Sequence, residues 1–140
     1  PKYNIFDRWI EDGLLNLLKN SGVGSICFSP LAQGILTDKY LSGLPKDSRA
    51  IKESPFLNTD QVLETLPKIN ALNKIAKDRN QTLAQMAISW ILKDNRITSV
   101  LIGASKTEQI LDSVKAIENT QFSEEELRKI NEITYNNKPL

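Results

Sequence analysis

Two short apolar runs, each followed by small residues, constrain the fold of this chain more than any other feature. Residues 23–28 and 97–102 each end in three successive apolar residues, 26–28 and 100–102, which is typical of strands covered on both faces of a sheet. Amphipathic helices are predicted before, between and after these runs. Because strands that alternate with helices pair in parallel, the pattern predicts an α/β protein.

The helices are predicted from apolar spacing and from capping patterns. Residues 12–21 place four leucines behind an acidic N-cap candidate, Asp12, and ahead of Gly22. Residues 60–79 repeat apolar side chains at helical spacing. Three further helices are predicted to open on capping boxes, at Thr82 with Gln85, Ser105 with Glu108, and Ser123 with Glu126.

Only two strands are predicted, beside four or five helices. Two strands alone are too few for a parallel sheet that is covered on both faces. We therefore expect the chain to be part of an α/β domain, a barrel or a doubly wound sheet. The chain starts at Pro1, and a fragment of a longer protein is at least as probable an explanation as a processed terminus. Residues 31–58 show no sustained period, and long loops in compact domains are often functional.

Composition excludes several classes of function. The net charge of +1 gives no reason to expect a nucleic-acid or membrane partner. The chain contains no histidine, which rules out histidine acid–base chemistry within it and makes a zinc site improbable. Cys27 is the single cysteine, so no internal disulfide forms, and a cytoplasmic location is the default expectation.

The end of the second predicted strand is a candidate ligand site. In parallel α/β folds, ligands bind at the C-terminal ends of the strands. Gly103 and Ala104 would allow a ligand close to the backbone, and the helix that follows offers free N–H groups beside the charge of Lys106. The alternative is that Ser105 only caps this helix and that Lys106 is solvated.

The sequence also resembles a known family. Residues 28–40 (FSPLAQGILTDKY) and 101–109 (LIGASKTEQ) resemble the C-terminal half of the aldo-keto reductases, as do residues 3–4 and 82–90. The branch it most resembles contains bacterial glyceraldehyde 3-phosphate reductases and potassium-channel β-subunits. The resemblance implies a (β/α)8 TIM barrel that binds NADP(H), with this chain as its C-terminal portion. Residues 26–28 would belong to strand seven and residues 99–102 to strand eight, a set that is incomplete on its own.

The resemblance also implies a cofactor site. Phe28 would stack on the nicotinamide ring, Lys39 would approach the phosphates, and Arg49 would lie near the adenosine end. The loop that would wrap the pyrophosphate consists of Ser29, Pro30, Leu31, Ala32 and Gln33. Pro30 has no N–H to contribute, and Lys39 and Arg49 have the alternative of being solvated surface charges.

After the second strand, Ser105 and Lys106 would hold the 2′-phosphate close to the backbone of Gly103, which favours NADP over NAD. Gln109 would lie at the adenosine portion, and Asp112 would accept a hydrogen bond from the adenine amino group. Ser113 stands where the family usually has asparagine, which puts its contact with the cofactor in doubt.

No catalytic residue is predicted within this chain. By the resemblance, the tyrosine acid and its lysine, aspartate and histidine partners lie in the N-terminal half, so Tyr3, Tyr40 and Tyr135 are not candidates. We expect Tyr3 to lie near the substrate mouth or to pack there. The expected activity is NADPH-dependent reduction of small aldehydes, such as glyceraldehyde 3-phosphate or methylglyoxal, and the fragment alone is predicted to be inactive.

Two alternatives stay open. One is a nucleotide-sensing accessory subunit of the channel β-subunit type, and the other is an unrelated phosphate-binding α/β protein. The expected partners are an aldehyde substrate, the missing N-terminal half of the barrel and, with less support, further copies of the chain.

Overall fold

The centre of the fold is a small parallel sheet. In the computed structural model, which describes residues 1–42 and 59–135, β1 (Ile26–Cys27) pairs in parallel with β2 (Ser99–Val100). On the other edge of β1, Lys2 forms a parallel bridge with Phe28. The Phe28 carbonyl accepts the N–H of Tyr3 at 3.2 Å, while the Cys27 carbonyl accepts that of Leu101 at 2.7 Å. β1 therefore lies between the start of the chain and β2.

The prediction of two parallel strands is confirmed, but their predicted burial is wrong for the described chain. The strands are shorter than the apolar runs, and Ile26 and Leu101 are 54% and 58% exposed. One face of the sheet packs on helices, whereas the described residues do not cover the other face.

The described residues form five α-helices: α1 (Leu14–Asn20), α2 (Thr59–Asp78), α3 (Leu83–Leu92), α4 (Thr107–Val114) and α5 (Glu124–Thr134). Short 3₁₀ helices are formed by Trp9–Glu11, Ala32–Gly34, Asp38–Tyr40 and Lys115–Asn119. The two helices predicted to open on capping boxes at Thr82 and Ser123 do so with both reciprocal hydrogen bonds. None of the described helices is long and apolar enough to cross a membrane.

Two predicted helix starts are wrong by one or two residues. Gly13, with φ of +89°, precedes α1 as its N-cap in place of Asp12, and no side chain caps that end. The predicted capping box of Ser105 with Glu108 is also wrong. The N-cap of α4 is Lys106, and the side chain that reaches back to the helix start is that of Gln109.

The core lies between the covered face of the sheet and helices α2, α3 and α5. Helix α3 is its centre, since eight of its ten residues are buried. The largest fully buried side chains include Trp90, Tyr3, Ile69, Leu72 and Met86. By contrast, α4 has no buried residue, and its predicted apolar face is exposed at Ile110, Val114 and Ile117.

Candidate functional site

Most of the predicted site residues follow the C-terminal ends of the two strands and therefore lie at the same end of the sheet. Because β1 and β2 run in parallel, the segments that follow them leave the sheet in the same direction. Phe28 and the loop at residues 29–34 follow β1, and residues 101–106 follow β2. Phe28 is 49% exposed, so its ring is accessible in the described chain.

The loop after β1 has an unusual backbone. Ser29, Ala32 and Gln33 have φ values of +59°, +47° and +61°, in the left-handed region that residues other than glycine rarely adopt. Such conformations cost roughly 1–3 kcal/mol each and cluster at ligand clamps and active sites. The loop is closed by its own contacts, with the Gln33 amide donating to the Ser29 hydroxyl at 3.3 Å. Pro30 and Ala32 are buried, and Leu31 is partly buried.

Asn4 holds this loop and was not predicted as a site residue. Its side chain is 1% exposed, and its Nδ2 donates to the Ser29 carbonyl at 3.0 Å. Its Oδ1 accepts the N–H groups of Phe6 and Asp7 at 3.0 and 2.9 Å. An asparagine that bonds the backbone two residues on is a common turn signal, and that signal was available in the sequence. The contact with Ser29, 25 residues away, was not.

Three donors after β2 converge on one oxygen atom. The N–H of Ser105 donates to Gln109 Oε1 at 2.8 Å, its hydroxyl to the same atom at 3.3 Å, and the N–H of Lys106 at 3.2 Å. The amide oxygen thus stands where an anionic oxygen could accept the same hydrogen bonds. Ser105 and Lys106 are exposed at the N-terminus of α4, where the helix dipole favours negative charge. Within the chain these donors are satisfied by Gln109, and their contact with a phosphate stays a prediction.

The other predicted residues after β2 lie in different surroundings. Gly103 is exposed, and a Cβ atom built on it would meet nothing within 4 Å. The Asp112 carboxylate accepts from Gln85 Nε2 at 2.7 Å and from the Thr82 hydroxyl at 3.3 Å, so it faces helix α3. Ser113 is partly buried beside it.

Lys39 and Arg49 are the other two basic residues predicted to contact the cofactor. Lys39 is exposed in the short helix Asp38–Tyr40, with its Nζ 5.8 Å from the ring centre of Tyr40. Arg49 lies outside the described residues.

Comparison with known proteins assigns the chain to a family. The sequence profile described as "Aldo/keto reductase family" matches residues 1–134. The chain belongs to the aldo/keto reductase family. The "L-glyceraldehyde 3-phosphate reductase" of Escherichia coli (strain K12) is 49% identical over 140 residues, covering 94% of this chain and 40% of that protein. A "probable voltage-gated potassium channel subunit beta" of Oryza sativa subsp. japonica is 40% identical over 122 residues, covering 84% of this chain and 37% of the relative.

Solved aldo/keto reductase-type structures share the fold. The glycerol dehydrogenase of Gluconobacter oxydans superposes with a TM-score of 0.76 at 24% identity, covering 95% of this chain and 40% of that one. An aldo-keto reductase of Bacillus halodurans superposes with a TM-score of 0.68 at 23% identity, covering 95% and 41%. The chain thus spans about 40% of the length of the relatives it matches.

Tyr3 is a core residue of the described chain, and its phenol has a partner within the chain. Tyr3 is fully buried, packs 5.4 Å from the Trp90 ring and donates to Glu11 Oε1 at 2.7 Å. Burial, reinforced by the bond to Glu11, raises the pKa of this phenol far above its usual range, so it is held protonated. No group of three potential metal ligands occurs among residues 1–42 and 59–135.

Proposed function

We propose that this chain forms the NADP-binding part of an aldo/keto reductase that reduces small aldehydes. The observation that carries the proposal is the convergence of Ser105 and Lys106 donors on one oxygen at the edge where both strands end. In an aldo/keto reductase chain, these donors and the charge of Lys106 would favour a cofactor whose 2′-phosphate takes the place of Gln109 Oε1. β1 and β2 would be strands seven and eight of the barrel.

When bound, NADPH would supply the hydride, and the residues of this chain would hold the cofactor in place. Phe28 offers an exposed flat face against which a nicotinamide ring can stack, which would fix the side of the ring that delivers hydride. The loop at residues 29–33 would follow the pyrophosphate, with its conformation held by Asn4. Ser105 and Lys106 would bind the 2′-phosphate.

The uncovered apolar surface supports a partner that completes the barrel. Ile26, Phe28 and Leu101 leave one face of the sheet open, and α4 presents a second apolar face to solvent. A closed barrel removes unpaired strand edges and fills its interior with side chains. We propose that a segment equivalent to the unmatched part of the relatives, about 60% of their length, covers both faces.

The accessory-subunit alternative shares this cofactor site and differs in turnover. A relative named as a reductase is more similar to this chain than those named as channel subunits, at 49% against 40% identity. The test is NADPH oxidation by the full-length protein with L-glyceraldehyde 3-phosphate or methylglyoxal. Turnover supports the reductase, whereas NADPH binding with no turnover of any small aldehyde supports an accessory role.

Cofactor binding can be measured in a defined host. We use the name grafted reductase for the Escherichia coli relative in which the matched 40% of its length is replaced by this chain. This protein supplies the remainder of a barrel and isolates the contribution of these 140 residues.

A further inference from the structure

Helix α4 carries the candidate phosphate-binding segment at its start, yet none of its own residues is buried. Its apolar side chains Ile110, Leu111 and Val114 are exposed within the described chain. Apolar burial is the dominant favourable contribution to packing, so this helix needs other contacts to fix its position. Hydrogen bonds from the neighbouring helix α3 supply them.

A row of polar side chains on α3 makes these hydrogen bonds. Thr82, Gln85 and Ser89 are spaced by three and four residues, which places them on one face of the helix. We call these three residues the polar seam. Gln85 and Ser89 are buried although polar, and Ser89 Oγ lies 2.7 Å from the carbonyl oxygen of Ala116, just beyond α4. Buried polar groups of this kind are costly unless they are paired, and here they are paired with α4 and the residues after it.

Gln85 is the centre of the polar seam. Its Oε1 accepts the N–H of Thr82 at 3.0 Å, which completes the capping box of α3. Its Nε2 donates to Asp112 Oδ1 at 2.7 Å and to the Asp112 carbonyl at 3.2 Å. The reverse orientation of the amide would set its oxygen against the carboxylate, so both ends of the amide are fixed.

We infer that Gln85 and Asp112 are positioning residues for the 2′-phosphate: by joining α4 to the buried helix α3, they hold Ser105 and Lys106 in place. The inference rests on the proposed NADP(H) site. Asp112 was predicted to accept from adenine, but its carboxylate faces Gln85 and Thr82. The positioning role of Asp112 is exerted through the helix, and its contact with adenine stays a prediction.

The polarity of this contact can be reversed at constant net charge. In Gln85→Glu, the new carboxylate still accepts the Thr82 N–H but faces Asp112 across a hydrogen-bond distance. In the double variant Gln85→Glu with Asp112→Asn, the side-chain donor and acceptor exchange places and the wild-type net charge returns, while the bond to the backbone carbonyl of residue 112 is not restored. The readout is the Kd of NADPH and of NADH, measured by fluorescence titration of the grafted reductase.

We expect Gln85→Glu to raise the Kd of NADPH about tenfold and that of NADH by less than about twofold, because only NADPH carries the 2′-phosphate. The double variant should recover most of the NADPH affinity. An unchanged Kd of NADPH, an equal loss for both cofactors, or no recovery in the double variant contradicts the inference.

An alternative variant and the wild-type cofactor preference complete the test. If Gln85→Glu does not fold, as judged by its thermal unfolding midpoint, Asp112→Leu removes the side-chain bonds to Gln85 and Thr82 from a partly exposed position and should give the same selective loss. A wild-type grafted reductase that binds NADPH and NADH equally contradicts the proposed function and this inference with it. A wild-type preference for NADPH, combined with an equal loss for both cofactors in the variants, contradicts the inference alone.

Discussion

Replacing Asn4 by alanine should both destabilise the protein and weaken cofactor binding. The substitution removes the buried side chain that joins the start of the chain to the loop after β1. The Phe6 N–H loses its acceptor at 3.0 Å, whereas the Ser29 carbonyl keeps the Ala32 N–H at 3.2 Å and the Asp7 N–H keeps the Asn4 carbonyl at 3.2 Å. One group left without a partner, at roughly 1–3 kcal/mol, predicts a loss of about 1–3 kcal/mol in the free energy of unfolding.

The assay is urea unfolding of the grafted reductase and its Asn4→Ala variant, with NADPH titration of both. The control is Asn16→Ala, because Asn16 is exposed and makes one side-chain contact to Arg96 at 2.7 Å. The control should change stability by less than about 0.5 kcal/mol. NADPH binding should weaken about tenfold in Asn4→Ala only, since the left-handed backbone at Ser29, Ala32 and Gln33 loses its support. A loss of stability no larger than that of the control would refute this reasoning.

Four other predictions concern the cofactor, the partly buried Lys93 and the isolated chain. Lys106→Ala should raise the Kd of NADPH about ten- to a hundredfold and bring it closer to the Kd of NADH. An unchanged Kd of NADPH by fluorescence titration would show that Lys106 does not bind the cofactor. Phe28→Ala should weaken NADPH but hardly affect adenosine 2′,5′-bisphosphate, whereas equal losses would indicate general damage to the barrel. Burial lowers the pKa of Lys93 from 10.5 to about 8, so the native state releases this proton first and the unfolded state binds more protons above pH 8. Its contribution to the free energy of unfolding therefore rises with pH from about 8 to 10.5, and urea unfolding at several pH values should show a smaller rise for Lys93→Met. The isolated 140-residue chain should associate and show no NADPH-dependent turnover. A monomer at all concentrations by light scattering, with cooperative thermal unfolding and NADPH-dependent turnover, would contradict this.

The helices could be predicted from the sequence because their capping and apolar spacing depend on residues three or four positions apart. The capping boxes at Thr82 and Ser123 each depend on a residue three positions away, and both form. The start of α4 was misplaced because Glu108 and Gln109 are adjacent and either can reach back to a helix start. The structure selects Gln109, which moves the N-cap from Ser105 to Lys106.

Features that depend on distant parts of the chain could not be predicted in the same way. The burial of Ile26 and Leu101 depends on what covers the sheet, and the described residues leave that face open. The contact of Asn4 with Ser29 joins residues 25 apart, and that of Gln85 with Asp112 joins residues 27 apart. The resemblance to the family suggested a role for Asp112, but only the packing of α4 on α3 shows which way its carboxylate faces.

The most direct test of the central claim is the ratio of the Kd values of NADH and NADPH for the grafted reductase, before and after Ser105→Ala with Lys106→Ala. We expect NADPH to bind more tightly than NADH, and the double variant to bring the two Kd values to within about threefold of each other. A wild-type grafted reductase that folds but binds both cofactors equally, or a preference that survives the double variant, would contradict the claim that this chain carries the NADP site.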